Sequence, residues 1–152
     1  RAVLTRLGAL DGEGGLTDHG RRLTGIPLTP RLAHLISAAS DAGDAALGAR
    51  IAGVLSEPGL GGNDTDLRDR LRGFDRDHSP RASDARKLAD RWARAGGGGQ
   101  SGPVDPGSLL AEAFPERIAK ARGKPGEVLL ASGRGAFLDP TDALAAESWL
   151  AV

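Results

Sequence analysis

The stretch that decides the fold is LTGIPLTPRLAHLI, residues 23–36, in which two prolines lie three positions apart. Each proline fixes its own φ near −65° and biases the residue before it away from helix, so a helix that precedes Ile26 must end there. Thr29 then suits an N-cap and Pro30 suits the first helical position. We therefore predict a short, stiff corner between two helices, the second running from Pro30 to about Ala42.

Apolar residues at helical spacing continue on both sides of this corner. Leu32, Leu35, Ile36 and Ala39 recur at i, i+3, i+4 and i+7, which predicts one buried helical face. Comparable apolar stripes predict five further helices. One runs from Thr17 through residue 23, one ends near residue 57, two cover about 64–74 and about 80–95, and one begins near residue 109. Trp92 falls on the same face as Leu88 in one of these helices, so we interpret it as a core residue.

The period changes near the end of the chain. EVLLA, residues 127–131, is followed by SGRG and AFL, a pattern that predicts strand, turn and strand, and SWLAV suits a further strand. Before it, Pro115 must kink or restart a helix, in which Ile118 and Ala121 continue the apolar pattern. The predicted fold is mainly α, a bundle of about five helices with a short C-terminal β-hairpin element.

Composition excludes several classes of function. The 152 residues contain 20 Lys plus Arg and 20 Asp plus Glu, so the net charge is zero. A net charge of zero gives no evidence, over the chain as a whole, for nucleic-acid or membrane binding. The absence of Cys excludes disulfides and thiolate metal sites. No apolar run is long enough for a transmembrane helix, so we expect no membrane partner and a cytoplasmic location. The chain starts at Arg1 and lacks Met, from which we expect a piece of a longer protein.

Motifs for catalysis are missing from the sequence. The nearest match to a phosphate-binding loop, Gly123-Lys124-Pro125, lacks both the upstream glycine and the hydroxyl. There is no G-x-S-x-G elbow and no H-E-x-x-H motif, and His19, His34 and His78 share no metal-ligand spacing. His34 lies at the edge of an apolar face and is interpreted as a partly buried or rim histidine. We predict no catalytic residue and no metal site in this chain.

A local basic cluster is the one feature that points to a ligand. Between residues 117 and 134 there are five basic side chains and one acid, a local charge of +4. The basic residues are Arg117, Lys120, Arg122, Lys124 and Arg134. Such a cluster suits phosphate contact, although ordinary solvated charges on a helix end and a loop explain it equally well. The helix over 80–95 is also basic, but Asp84 and Asp90 are interleaved, which favours a solvated face.

Three stretches together resemble the C-terminal region of DEAH-box helicases. LGALDGEGGLTDHGRRLTGIPLTPRLAHLI resembles the junction between the winged helix and the helical bundle of that family. The later part of the same region is resembled by AEAFPERIAKARG and then VLLASGRGAFLD. The residues FPERIA and ASGRGA within them are similar to those of the bacterial HrpB-type branch. The resemblance covers roughly residues 4–57 and 108–152.

The resemblance implies a domain organisation and a role. Residues 1–27 would end a winged helix, residues 28–114 would form a helical ratchet-like bundle with a flexible Gly-rich segment at 96–107, and residues 115–152 would begin an OB-like part. In that family, RecA-like domains of the same polypeptide bind ATP and Mg²⁺ and hydrolyse the ATP. The resulting motion is converted into stepping along single-stranded RNA. This chain would be an accessory part that contacts nucleic acid and transmits motion, while its parent would be an ATP-dependent helicase.

A second interpretation of the sequence remains open. The zero net charge and the Ala-rich amphipathic helices also suit a helical protein-interaction module with no nucleic-acid contact. The sequence does not separate RNA from DNA as the ligand of the first interpretation.

Overall fold

The computed structural model describes residues 1–97 and 103–152, which form seven α-helices followed by a four-stranded antiparallel sheet. The helices are α1 (Ala2–Arg6), α2 (Asp18–Thr24), α3 (Pro30–Asp41), α4 (Ala45–Ser56), α5 (Leu67–Arg76), α6 (Pro80–Ala95) and α7 (Pro106–Ala113). The strands are β1 (Ile118–Ala121), β2 (Glu127–Leu130), β3 (Gly135–Phe137) and β4 (Trp149–Ala151), in the order β3-β2-β1-β4. Short 3₁₀ turns, Pro115–Arg117 and Ala143–Ala146, precede β1 and β4. The predicted mainly α class with a C-terminal β element is confirmed.

The two-proline corner is present as predicted. The Thr17 hydroxyl caps α2 by accepting a hydrogen bond from the Gly20 N–H at 2.9 Å. Thr29 occupies the N-cap of α3, but its side chain accepts no capping hydrogen bond, so Pro30 at the first position is what fixes the start of the helix. Ile26 lies between the helices and is only 3% exposed. Its burial anchors the corner to the core.

The core consists of two apolar clusters that share α3 and α4. One contains Leu35, Ile51 and Phe74, and the other contains Ile36 and Trp92. Consecutive residues of α3 therefore face different clusters, so this helix is covered on two sides. The prediction that Trp92 belongs to the core is confirmed.

The segment after Pro115 corrects the sequence prediction. Ile118–Ala121 forms a strand rather than the continuation of a helix, and it pairs with β2 on one side and β4 on the other. Four residues are too few for apolar spacing to separate helix from strand, and one of the two pairing partners, β4, is distant in sequence. The predicted hairpin of β2 and β3 and the predicted strand in SWLAV are both present. The β element is therefore larger than the two or three strands expected.

Part of the Gly-rich segment predicted to be a flexible joint, residues 98–102, lies outside the described residues. After it, the Asp105 carboxylate caps α7 by accepting a hydrogen bond from the Ser108 N–H at 2.9 Å. The predicted domain boundaries at residues 27 and 114 stay predictions.

An ion pair ties the start of the sheet to the corner. Arg31 in the first turn of α3 pairs with Glu116 at 2.8 Å and donates a hydrogen bond to the Ala113 carbonyl oxygen at 2.6 Å. Both side chains are partly buried, so the pair is screened less by solvent than a surface pair would be. The sheet is therefore held against the helix that the two prolines orient. Within residues 1–97 and 103–152, no helix is long and apolar enough to cross a membrane.

Candidate nucleic-acid interface

The sheet turns one face towards the protein and one outwards. Directly paired residues of neighbouring strands share a face, and side chains alternate between faces along a strand. Ala119 and Val128 are buried on the inner face. Lys120 is paired with Trp149 on β4 and with Leu129 on β2, which places these three side chains on the opposite face. Gly135 on β3 is paired with Leu129 and continues the row, and Phe137 lies on the same face two positions further along β3. This surface is called the outer face below.

Large apolar side chains are exposed on the outer face. Trp149 is 61% exposed, Phe137 is 84% exposed and Leu129 is 41% exposed. The chain contains only three Phe and two Trp, and two of these five aromatic residues lie here. Exposed aromatic side chains that share one face indicate a binding surface, because burying them against a partner releases more free energy than burying small side chains.

Positive charge lies beside the aromatic rings. The Lys120 Nζ is 5.4 Å from the centroid of the Trp149 ring, within the range of a cation–π contact. Arg122 follows β1 directly, and its Nη1 lies 3.7 Å from the position that a Cβ would take on Gly135. The guanidinium therefore lies at the far end of the Trp149–Lys120–Leu129 row. Negative charge is also present, since Glu127 lies on this face, paired with Phe137, and the exposed Glu147 lines a pocket together with Trp149.

The structure divides the predicted basic cluster. All five side chains are exposed, but only Lys120 and Arg122 are placed by these contacts on the outer face. Lys124 lies in the β1–β2 loop and Arg134 in the β2–β3 turn, at the rim of the sheet. Arg117 precedes the opposite end of β1, where its Nη1 donates a hydrogen bond to the main-chain oxygen of Val152 at 3.3 Å. The assignment of these residues to nucleic-acid contact stays a prediction.

Three of the five basic residues of α6 make contacts within the protein. Arg81 pairs with Glu57 at 3.1 Å, and Lys87 pairs with Asp84 at 3.3 Å. Arg86 donates a hydrogen bond to the Phe74 carbonyl oxygen. These contacts agree with the interpretation of α6 as a charged helix face rather than a ligand site.

The structure brings two histidines together, which the sequence pattern did not predict. The His19 Nε2 and the His34 Nδ1 lie 2.8 Å apart, across the corner between α2 and α3. An arginine can only donate, and the Arg22 Nη2 lies 3.3 Å from the His19 Nδ1, so that nitrogen is the acceptor. His19 then carries its proton on Nε2 and donates it to the His34 Nδ1. Both rings are therefore neutral in this arrangement.

Burial lowers the pKa of both histidines. Burial is the largest cause for His19, and the Arg22 charge lowers its pKa further. For His34, burial is again the largest cause, and the neighbouring His19 adds to it, while Glu112 and Asp41 act in the opposite direction. The prediction of a partly buried or rim His34 is confirmed. In the described part of the chain, no group of three or more His, Asp or Glu side chains is placed to hold a metal ion.

Trp149 and Phe137 are two further candidate site residues that the sequence pattern did not predict. Each lies in a strand of only three residues, too short for alternation to distinguish an outward aromatic residue from an inward one. The segment SWLAV did contain a signal for Trp149. If the segment is taken as an edge strand, Trp149 and Ala151 share one face and Leu150 lies on the other.

The chain is similar to ATP-dependent helicases. It is 37% identical over 150 residues to the ATP-dependent RNA helicase HrpB of Escherichia coli K12. The aligned region covers 99% of this chain and 18% of that protein. Two crystal structures of E. coli HrpB, one described as a DExH-box NTPase and one as a DEAH/RHA helicase, superpose with TM-scores of 0.76 and 0.77 at 32% and 33% identity. Each superposition covers 97% of this chain and 18% of the other. No protein-family model matches the sequence.

One of these relatives is described as a DEAH/RHA helicase, which names the class of protein that the chain is similar to. Within that class the chain is similar to one part of HrpB, as the sequence resemblance indicated. It spans less than a fifth of the length of the relatives it matches, since the covered share is 18%. A position in the C-terminal region of an HrpB-type protein fits these findings.

Proposed function

We propose that this chain is an accessory, nucleic-acid-contacting part of an ATP-dependent RNA helicase, and that single-stranded RNA lies on the outer face. The observation that carries the proposal is the paired Lys120 and Trp149, with Phe137 exposed on the same face. Aromatic side chains on a sheet, flanked by basic residues, are a common arrangement for binding single strands.

The composition of the outer face favours a single strand over a duplex. Unpaired bases can stack on Trp149 and Phe137, and stacking of this kind contributes about 1–3 kcal/mol per base without reading sequence. Lys120 and Arg122 are placed to contact phosphates beside the stacked bases, with Lys124 and Arg134 at the rim. A duplex offers no free base faces, so it would use only the charges. The expected ligand is therefore single-stranded and its recognition is tolerant of sequence.

The corner gives the chain a way to transmit motion. In the proposed parent protein, RecA-like domains elsewhere in the polypeptide would bind ATP and Mg²⁺ and move the winged-helix end of this segment. The buried Ile26 and the Arg31–Glu116 pair connect that end to the sheet through α3. A stiff connection of this kind would carry a displacement to the RNA on the outer face rather than absorb it.

The test is an anisotropy titration of the full-length parent protein, without nucleotide, with a short fluorescein-labelled oligouridine and with a duplex of matched length. Replacing Trp149→Ala should weaken oligouridine binding roughly 5- to 150-fold, which corresponds to about 1–3 kcal/mol of lost stacking. Trp149→Phe keeps an aromatic ring and serves as the matched control. Unchanged affinity of Trp149→Ala would contradict the proposal, and no RNA binding by any variant would favour the protein-interaction module.

A further inference from the structure

A second surface lies where the helical bundle meets the end of β4. It is a groove of about 430 Å³, to which α3, α4, α5, α7 and β4 all contribute. Its lining residues are Thr29, Arg31, Leu32, Leu55, Thr65, Leu67, Arg70, Leu110, Phe114, Arg117, Ala151 and Val152. This surface is called the seam groove below. It adjoins the outer face at β4, since Ala151 lies on the same side of that strand as Trp149, but Lys120, Leu129, Trp149 and Phe137 are absent from its lining.

The floor of the seam groove is aliphatic and partly open to solvent. Leu32, Leu67 and Leu110 contribute to it, and Leu55 is 40% exposed at its edge. Phe114 is the aromatic residue among the lining residues, and the Arg31 guanidinium lies 5.3 Å from its ring centroid. The floor therefore suits aliphatic side chains of a partner better than stacked bases.

The charges around the groove have one sign. Three arginines and no carboxylate side chain line it. Arg31 is paired with Glu116, but no ion pair involves Arg70 or Arg117 in the two described ranges of the chain. The Arg70 Nη2 instead donates to the main-chain oxygens of Val54 and Leu60, at 3.1 and 3.3 Å, and Arg117 donates to that of Val152. The Val54 and Leu60 carbonyl oxygens hold the Arg70 guanidinium in place without supplying a negative charge.

We infer that the seam groove docks an acidic amphipathic segment of a polypeptide. Aliphatic side chains of the segment lie on the leucine floor, and its carboxylates pair with Arg70 and Arg117. Planar guanidinium groups that are already held in position suit carboxylates, since less side-chain entropy is lost on pairing. This inference is independent of the proposed RNA contact, which uses the aromatic rings of the outer face.

The test uses a labelled helical peptide with leucines at i, i+3, i+4 and i+7 and glutamates elsewhere. A matched peptide carries lysine in place of each glutamate. In anisotropy titrations with the full-length protein, the glutamate peptide should bind and the lysine peptide should not. Leu55→Glu should weaken binding of the glutamate peptide about tenfold or more, because it removes apolar contact and sets like charges against each other. Leu16→Glu alters another exposed leucine, 46% exposed and outside the groove, and should have no effect.

Three results would overturn the inference. They are equal binding of the two peptides, an unchanged affinity in Leu55→Glu, and absence of binding by the glutamate peptide. Competition adds a further criterion, because displacement of the peptide by unlabelled oligouridine would assign the groove to nucleic acid instead. Trp149→Ala should leave peptide binding intact, so a failure of the RNA proposal and a failure of this one give different patterns.

Discussion

The Lys120 Nζ lies 5.4 Å from the centroid of the Trp149 ring, and the two residues are directly paired on neighbouring strands. A cation and a stacking surface are therefore fixed relative to one another by main-chain pairing rather than by a loop. A single strand that stacks a base on the indole brings its phosphate close to a charge that is already in place. The pair thus combines the two interactions that binding of single strands needs.

Replacing Lys120→Ala should reduce the salt dependence of RNA binding. Removing one phosphate contact to a single strand lowers the slope of log K against log salt by about 0.7. The measurement is the affinity for oligouridine over a series of salt concentrations, with Lys120→Arg as the control that keeps the charge. A weakened affinity with an unchanged slope would mean that Lys120 only positions the Trp149 ring and does not contact phosphate.

The division of the basic cluster predicts unequal effects for its arginines. Arg122→Ala should lower both the affinity for oligouridine and its salt slope, because its guanidinium lies at the outer face. Arg117→Ala should lower both by less than Arg122→Ala does, because its guanidinium lies at the other end of β1, beside the seam groove. Equal losses in the two variants would contradict this division and would extend the RNA path into the seam groove.

Two glycines of α4 predict opposite changes in stability. A Cβ on Gly48 would lie 2.5 Å from the Ala39 Cβ and 3.2 Å from the Ile36 Cα, so Gly48→Ala forces α3 and α4 apart. We expect a loss of about 1–3 kcal/mol from this overpacking, despite the better helix propensity of alanine. A Cβ on Gly53, in the same helix, would have no neighbouring atom within 4 Å. Gly53→Ala should therefore raise stability by about 0.5–1 kcal/mol.

Urea unfolding followed by circular dichroism checks this pair of variants. Because both substitutions are glycine to alanine in one helix, the change in the unfolded state is the same, and their difference reports packing alone. A Gly48→Ala protein as stable as Gly53→Ala would show that α3 and α4 do not lie as close as the structure places them.

The histidine pair predicts a loss of stability in mild acid. Burial holds the pKa of His19 and of His34 below the ordinary value of 6.5, and the Arg22 charge lowers that of His19 further. Folding therefore favours the neutral rings, and their contribution to stability is fully present above pH 6.5 and is lost as the pH falls through the folded pKa values. We therefore expect the free energy of unfolding to fall as the pH is lowered below 6.5.

The pH dependence should be smaller in His34→Gln, because that variant removes one titrating partner and keeps a hydrogen-bonding side chain. His78 lies outside the pair, so His78→Gln serves as the matched control. The measurement is the urea midpoint at several pH values. A His34→Gln protein that loses stability with acid as steeply as the unmodified protein would contradict the assignment.

Local signals predicted the bundle well. Pro27 and Pro30 act through main-chain sterics that need no distant partner, so the corner and the start of α3 could be predicted directly. The helix predicted over about 80–95 is present as α6, with Ser79 as its N-cap and Pro80 at its first position, and the apolar stripe that contains Trp92 gave its buried side. The start of α5 differed by a few residues from the prediction, since this helix begins at Leu67 rather than near residue 64.

The sheet and the site depend on contacts between distant residues. Ile118–Ala121 becomes a strand because β2 and β4 pair with it, and nothing within the segment itself reveals those partners. The same pairing turns Trp149 outwards and brings Lys120 beside it. His19 and His34 are 15 residues apart and meet only because the corner folds α2 back onto α3. The basic cluster was visible as composition, but its division between two surfaces followed from the register of the strands.

The central claim is that single-stranded RNA stacks on Trp149, and the tryptophan fluorescence of the chain tests this most directly. The chain contains two Trp residues, of which Trp92 is 7% exposed in the core and Trp149 is 61% exposed on the outer face. We predict that oligouridine quenches the tryptophan emission and that the quenching is lost in Trp149→Phe while RNA binding, followed by anisotropy, persists. Quenching that is the same in Trp149→Phe, or binding of RNA with no change in Trp149 emission, would contradict the claim.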